Sequence, residues 1–291
     1  MNSLPQTSDS RERPLRRWGQ HWLTDAHLLN AIADAATVTA TDTILEIGPG
    51  KGHLTRVLAE RGARVIAVEV DPRLVAHLGT QFAHTPQVTI LHGDILTAPP
   101  HAWITQATRA PAHEFKIVAN LPYYITSAIL RHILTAPPLA RVIVVLVQLE
   151  VAQRLVAQPP QMNLLAVSVQ FFAQPRLIRR IPAGAFYPRP QVDSALVRLD
   201  VYDTPPYPIA DVSQFFTLVR AGFGERRKQL RNALAHRLGC APALIETILT
   251  HAQIDPTRRA ESLSLLEWSN LYHAFVAAQT TSKVLLSGKP N

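Results

Sequence analysis

The residues of this chain best suited to chemistry are Asn120-Leu121-Pro122-Tyr123, directly after the apolar run Phe115-Lys116-Ile117-Val118-Ala119. The run reads as a strand, so the tetrapeptide puts a side-chain amide, a rigid turn and an aromatic face at a strand end. That set of groups suits holding a flat base with an exocyclic amine and offering the amine to an electrophile. Such an amine is a poor nucleophile, because its lone pair is delocalised into the ring. The Asn120 side-chain oxygen and the Leu121 carbonyl can each accept one of its N–H groups, and Tyr123 can stack on the base. That draws the nitrogen toward tetrahedral geometry and aims its lone pair. The plain alternative is an Asn-Pro turn with a packed tyrosine.

The rest of the chain supplies a place for the electrophile. Glu46-Ile47-Gly48-Pro49-Gly50-Lys51-Gly52 sits in a strand-to-helix turn, where glycines allow a ligand to approach the backbone closely. It is not the dinucleotide fingerprint, because His53 stands where a further glycine is needed. It is not a P-loop, because Gly52 follows Gly50-Lys51 where Ser or Thr is required. Glu69 ends the next strand, a little under twenty residues on, and can accept hydrogen bonds from the hydroxyls of a ribose. Asp94 ends a third strand and can accept from an adenine amine, or simply form a turn after Gly93. With Asn120, these positions fall at the carboxyl ends of successive strands. Open α/β sheets bind their ligands on that edge.

The elements that must position these residues alternate. Strands are read at Thr43–Ile47, Arg64–Val70, Val88–Leu91, Phe115–Ala119 and Arg141–Val147, and two more at Val167–Ala173 and Ser194–Val201. Helices are read over Asp25–Ala36 with Asp25 as N-cap, over Leu54–Glu60, after Asp71-Pro72, and over Ser127–Leu134 and Gln148–Ala157. The alternation predicts an α/β fold: a doubly wound, mostly parallel, Rossmann-like sheet of seven strands. After the proline-rich Thr204-Pro205-Pro206-Tyr207-Pro208 the strand signals stop. Four helical patterns follow, at Ser213–Gly222, Gln229–Leu238, Pro242–His251 and Leu265–Ala278, and Gln279–Asn291 reads as frayed. The expected organisation is a basic flexible arm over 1–17, a catalytic, cofactor-binding domain over 18–203 and a small helical domain over 204–291.

Charge narrows the partner. The 291 residues carry a formal +8, and the pI is near 10.1, which favours a polyanion. Arg220, Arg226, Arg227, Lys228, Arg231 and Arg237 lie within one short stretch opposed by Glu225, and read as a basic helix contacting RNA phosphates. Cys240 is the sole cysteine, so neither an internal disulfide nor a cysteine zinc site is available, and a cytoplasmic setting is expected. The histidines show no HExxH pattern, and no metal is expected. The arginine-rich start lacks the apolar segment of a secretory signal. The longest apolar run, Val142 to Val147, is too short to span a bilayer, so no membrane partner is expected.

Several stretches together resemble one family. The glycine turn resembles motif I, and Asn120–Tyr123 motif IV, of S-adenosylmethionine-dependent amino-methyltransferases. Trp18-Gly19-Gln20-His21-Trp22-Leu23 resembles the Phe-Gly-Gln-Asn-Phe-Leu signature of the KsgA/RsmA family of 16S rRNA adenine N6,N6-dimethyltransferases. Asn120–Thr126 matches that family's Asn-Leu-Pro-Tyr-x-Ile-Ser/Thr, and Phe186–Ala195 its Phe-x-Pro-x-Pro-x-Val-Asp-Ser-Ala. Phe223–Asn232 matches its Arg-Arg-Lys stretch, and Arg259–Ser264 a C-terminal signature. The resemblance runs from about Arg16 to about Ala278 and implies the class I methyltransferase fold. It implies S-adenosylmethionine contacts at His21, Leu23, Gly48, Gly50, Glu69, Asp94 and Asn120, with Asn120, Leu121, Pro122 and Tyr123 catalytic. It implies RNA contacts at Arg220, Arg226, Arg227, Lys228 and Arg231. His21 replaces the usual Asn, and Trp18 and Trp22 replace phenylalanines. The implied reaction is dimethylation of N6 of two adjacent adenosines near the 3′ end of 16S rRNA, in an immature small ribosomal subunit, by a monomer acting in ribosome biogenesis. Two alternatives stay open: a 23S rRNA adenine N6-methyltransferase, and a small-subunit assembly factor whose binding matters more than its chemistry. A DNA adenine methyltransferase fits less well, because no separate target-recognition domain is legible.

Overall fold

The computed structural model describes residues 21–112 and 114–287. The expected arm over 1–17, and Trp18, Gly19 and Gln20 of the first signature, lie outside the described residues. The chain divides into two compact units. One is formed by the chain up to Ala152 together with Gln174–Val201; the other by Gln153–Ala173 together with the chain from Tyr202 onward.

The first unit opens with β1 (Trp22–Leu23) and α1 (Ala26–Ala35). Asp25 caps α1 by accepting the N–H groups of His27 and Leu28, as its residue type predicts. Alternation follows: β2 (Thr43–Ile47), α2 (His53–Glu60), β3 (Arg64–Glu69), α3 (Pro72–Gln81), β4 (Val88–His92), α4 (Pro100–Thr108), β5 (Lys116–Asn120), α5 (Thr126–Thr135), β6 (Val142–Gln148) and α6 (Leu149–Leu155). Asp71 caps α3 with Pro72 in its first turn, where a missing N–H costs nothing. β6 reads Val-Ile-Val-Val-Leu-Val-Gln, and its first six residues are buried, as the interior position of a two-face-covered strand demands.

The seven-stranded sheet has the order β4-β3-β2-β5-β6-β9-β7, where β7 is Ala173–Ile181 and β9 is Ser194–Val201. β4 through β6 run parallel, and β9 pairs antiparallel with β6 in the register Val145↔Val197. The winding reverses between β2 and β5. The carboxyl ends of those two strands therefore flank the crevice in which open α/β sheets hold ligands. Separately, β1 pairs antiparallel with the short β8 (Phe186–Tyr187), Trp22 opposite Tyr187 and Leu23 opposite Phe186. α1 and α2 pack on the sheet through Leu29, Ile32, Leu54 and Leu58, against Ile44, Val65, Val118 and Leu196.

The second unit holds α7 (Leu164–Gln170), α8 (Val212–Phe223), α9 (Leu230–Leu238), α10 (Pro242–His251) and α11 (Leu265–Ser287). Its core joins Val167 and Phe171 to Phe215, Leu234, Ile248 and the fully buried Trp268.

Four readings of the sequence need correction. The strand expected over Val167–Ala173 is α7, capped by Asn163, whose Oδ1 accepts the Ala166 N–H (3.0 Å); the strand begins where the helix ends. Leu165, Ala166, Val167 and Val169 are all buried, and a run covered on every side has no periodicity that separates helix from strand. The segment Gln153–Ala173 belongs with the helical unit rather than the sheet unit, because it is this buried run that enters the helical core. Arg226, Arg227 and Lys228 sit on the turn between α8 and α9, not on a helix. α11 continues to Ser287 rather than fraying after Ala278. Among the described residues no helix is long and apolar enough to cross a membrane.

Candidate active site

A cavity of about 120 Å³ opens at the carboxyl edge of the sheet. The strand ends that form it bring together most of the residues singled out in the sequence. Gly48 and Gly50 come from the turn after β2, Glu69 from the end of β3, Asp94 from just beyond β4, and Asn120, Leu121, Pro122 and Tyr123 from the end of β5. His21 closes the cavity from the segment before β1.

Asn120 is held by a partner 99 residues away. Its Nδ2 donates to the His21 carbonyl at 2.9 Å. Only the nitrogen of the carboxamide can serve a carbonyl, so this bond sets which way the amide points. Oδ1 remains an acceptor with no partner among the described residues. The Leu121 N–H donates to the Leu146 carbonyl (3.1 Å), which orients the adjoining peptide. Tyr123 is tied by its hydroxyl to Ser194 Oγ at 2.7 Å, and Ser194 is completely buried. Burial raises the Tyr123 pKa above its ordinary value, so this phenol is a neutral hydrogen-bonding group and no base. One face of Tyr123 is covered by the His21 imidazole (5.5 Å between ring centres, 21° between planes). His21 Nδ1 is 2.7 Å from the Pro188 carbonyl and so must donate to it. His21 thus meets the cavity chiefly as a ring over Tyr123 and as the carbonyl that holds Asn120.

Glu69 does more than the sequence suggested. Its Oε1 accepts the N–H groups of Val70 (2.9 Å) and Asp71 (3.0 Å), and its Oε2 accepts that of Gly50 (3.1 Å). The carboxylate therefore fastens the glycine turn to the end of β3. Of roughly four acceptor sites on a carboxylate, three are used, leaving about one for a ligand hydroxyl. Burial raises its pKa, and the three backbone N–H bonds oppose that rise.

Gly48 adopts φ +68° with open space where a Cβ would stand, so its backbone conformation calls for glycine. Gly50, at φ +59°, has a second reason: a Cβ there would lie 3.0 Å from Trp22 Cδ1 and Nε1. Asp94 is exposed, lines the cavity, and accepts the Leu96 N–H (3.0 Å), so the turn-forming role is real. Leu23 is not brought to this cavity. Its side chain is buried in the core beneath α1 and α2, and its carbonyl meets His53 Nδ1 (3.2 Å).

Three features were not legible beforehand. Trp22, noted only as a packing replacement, lines the cavity with Lys51 Nζ 4.7 Å above its ring, and its buried Nε1 has no partner among the described residues. Glu46 lies behind the glycine turn, 1% exposed, beside Thr55, and its Oε2 makes no hydrogen bond of good geometry among the described residues. Lost hydration first, then the charge of Glu69, push its pKa up to about 8. Tyr124 lines the cavity and is 60% exposed, at the position the Asn-Leu-Pro-Tyr-x-Ile pattern leaves open. A large exposed aromatic next to Tyr123 was the available signal.

The basic residues belong to the second unit. Arg154, Arg220, Arg226, Lys228 and Arg259 line one hollow there, with Glu225 and Glu261. Glu225 draws Lys228 (3.8 Å), His236 (3.3 Å) and Arg237 (3.5 Å), and Arg231 pairs with Glu246 (2.8 Å). Arg226 and Arg227 are exposed and pair with no carboxylate among the described residues.

The arrangement fits an adenosyl cofactor. The glycine turn leaves open space beside Gly48, a carboxylate stands at the end of β3 for a ribose, and apolar Val70, Ile95 and Ile129 also line the cavity. A family model described as "Ribosomal RNA adenine dimethylase" matches residues 12–275. The "Ribosomal RNA small subunit methyltransferase A" of Dehalococcoides mccartyi is 46% identical over 253 residues, covering 87% of this chain and 85% of the relative. Among solved structures, the "23S rRNA methyltransferase ErmE" is 28% identical with TM-score 0.68, over 87% of this chain and 98% of that one. A "dimethyladenosine transferase from Plasmodium falciparum" shares the fold, at TM-score 0.74 and 21% identity, over 89% of this chain and 98% of that one.

Proposed function

Because the chain belongs to the ribosomal RNA adenine dimethylase family, we propose that it dimethylates N6 of two adjacent adenosines near the 3′ end of 16S rRNA, in the immature small ribosomal subunit. The observation that carries the reading is the fixed polarity of Asn120: with Nδ2 given to the His21 carbonyl, Oδ1 is the free acceptor. An adenine amine has two N–H groups. Asn120 Oδ1 accepts one and the Leu121 carbonyl the other, so the nitrogen is turned with its lone pair toward the methyl donor. Tyr123, held by Ser194, gives the base a face to lie on. His21 must slide from that face, or the base must take the other one. S-adenosylmethionine, when bound, supplies a methyl on a cationic sulfur that leaves without acid assistance. As the sulfur departs with its electron pair the methylated nitrogen becomes a cation, acidic enough to give its proton to water, so no residue here needs to be a strong base and catalysis rests on orientation and on preset acceptors.

Gly48, Gly50, Glu69 and Asp94 hold the cofactor in this reading, Glu69 through the one acceptor site that its backbone bonds leave. The base must leave its stack to reach Asn120. Arg220, Arg226, Arg227 and Lys228 contact RNA phosphates; Arg231, already paired with Glu246, contributes less. The 46% identity to a small-subunit enzyme, against 28% to a large-subunit one, favours the small-subunit substrate.

The test is methyl transfer from labelled cofactor to undermethylated 30S particles, followed by identification of the product nucleosides. Dimethyladenosine is expected. Asn120→Ala is expected to bind 30S particles at wild-type affinity and to lose at least about a hundredfold in transfer rate. Normal transfer by that variant removes the assigned role of Asn120. Transfer to purified 23S rRNA but not to 30S particles reverses the choice of substrate.

A further inference from the structure

We propose that Tyr124, at a position its family's motif leaves open, closes over the purine of the methyl donor; the proposal rests on the cofactor reading above. Tyr123 and Tyr124 are neighbours in the single 3₁₀ turn Tyr123–Ile125. Successive side chains in such a turn point about 120° apart. Tyr123 faces Ser194 and His21, on the side where Asn120 presents its acceptor. Tyr124, turned away from Tyr123 by that spacing, lines the cavity together with Asp94, Val70, Ile95 and Ile129 and lies near enough to Asp94 to feel its charge. The two rings thus serve different occupants. One belongs to the target base, the other to whatever lies beyond Glu69.

With a ribose at Glu69, the group that meets Asp94 is the purine. The apolar Val70, Ile95 and Ile129 fit one face of a flat ring, and Asp94 suits its amine. Tyr124 is the aromatic available for the second face. The residue is 60% exposed although it lines the cavity. Closure buries it, so exposure without ligand is what a cover requires. Partial burial first, and then the charge of Asp94, raise the Tyr124 pKa above its ordinary value.

The test uses the full chain with S-adenosylhomocysteine, which carries the same adenosine and transfers nothing. Calorimetric titration is expected to show Tyr124→Ala weakened about tenfold and Tyr124→Phe within about twofold of wild type. S-adenosylhomocysteine is also expected to protect Tyr124 from nitration, read by peptide mass. In steady-state assays at saturating cofactor, the KM of Tyr124→Ala for 30S particles stays at the wild-type value. The exposed ring leaves thermal stability unchanged on truncation, so a folding defect does not mimic the effect. Unchanged S-adenosylhomocysteine affinity in Tyr124→Ala, or nitration unaffected by ligand, overturns the proposal. So does a raised KM for 30S with S-adenosylhomocysteine affinity intact, because the ring would then serve RNA. Wild-type protein that binds S-adenosylhomocysteine through Tyr124 yet methylates no 30S particle defeats the functional reading and leaves this one standing.

Discussion

Glu69→Gln separates affinity from stability, because the wild-type carboxylate holds the backbone and is offered to a ligand at once. Three N–H groups donate to it: Val70 and Asp71 to Oε1, Gly50 to Oε2. A glutamine has one acceptor oxygen. Placed at Oε1 it keeps two of the three bonds, and its amide nitrogen then confronts the Gly50 N–H, donor against donor. A lost hydrogen bond to a charged acceptor costs about 1.5–3 kcal/mol. Against that, burial already disfavours the ionised carboxylate and has pushed its pKa up, and a neutral amide escapes that penalty. The two effects oppose each other, so the change in folding stability is expected to be about 1 kcal/mol or less. Cofactor affinity has no such offset. The free acceptor site goes, and a ribose hydroxyl loses a charged partner, a change of roughly ten- to a hundredfold in Kd. Titration with S-adenosylhomocysteine beside chemical denaturation measures both. The reasoning fails if affinity stays within about twofold of wild type, or if affinity falls only in step with an equal fall in stability.

Three further outcomes are expected. Glu46 has a folded pKa of about 8 against an ordinary 4.5, so the folded state holds the proton more tightly. Stability then falls as pH rises through that window, by up to about 1.4 kcal/mol per unit, and Glu46→Gln flattens the slope; equal losses between pH 5 and 8 in both proteins, by urea denaturation, would sink this. Gly93→Ala puts a Cβ 2.2 Å from Cη2 of the buried Trp103, so an unfolding free energy lowered by about 1–3 kcal/mol in chemical denaturation is expected, with weakened cofactor binding as Asp94 shifts. Arg226→Ala and Arg227→Ala are each expected to make the salt dependence of 30S or RNA binding shallower by about 0.7–0.9 in slope, and Arg231→Ala to change it less because Glu246 already neutralises it. Equal slopes in all three variants would refute that ranking.

Local chemistry made much of this legible. Asp25 and Asp71-Pro72 cap the helices they were read to open, because a cap depends on residues a few positions apart. The strands at Thr43, Arg64, Val88, Lys116 and Val142 appear where alternating and apolar runs placed them, within a residue or two. The reading failed where burial erased the period, at Leu164–Gln170, and where charge density was taken for a helix, at Arg226–Lys228. The segment Gln153–Ala173 joins the helical unit through buried side chains of that same run, which no linker signal marks.

By itself the sequence determined the residue types at the sheet's carboxyl edge: glycines after β2, a carboxylate ending β3, an aspartate after β4, an amide ending β5. A strand's period and a turn's chemistry are short-range, so these follow from neighbours along the chain. Tertiary structure decided what each group is free to do. The His21 carbonyl, 99 residues from Asn120, fixes which end of the amide is the acceptor. The glycine turn consumes part of Glu69, and Ser194, 71 residues from Tyr123, anchors that ring. A hydrogen bond spends a specific lone pair or proton, and the partner that takes it comes from a distant segment. Residue spacing cannot encode that choice; only the folded backbone brings the two atoms together.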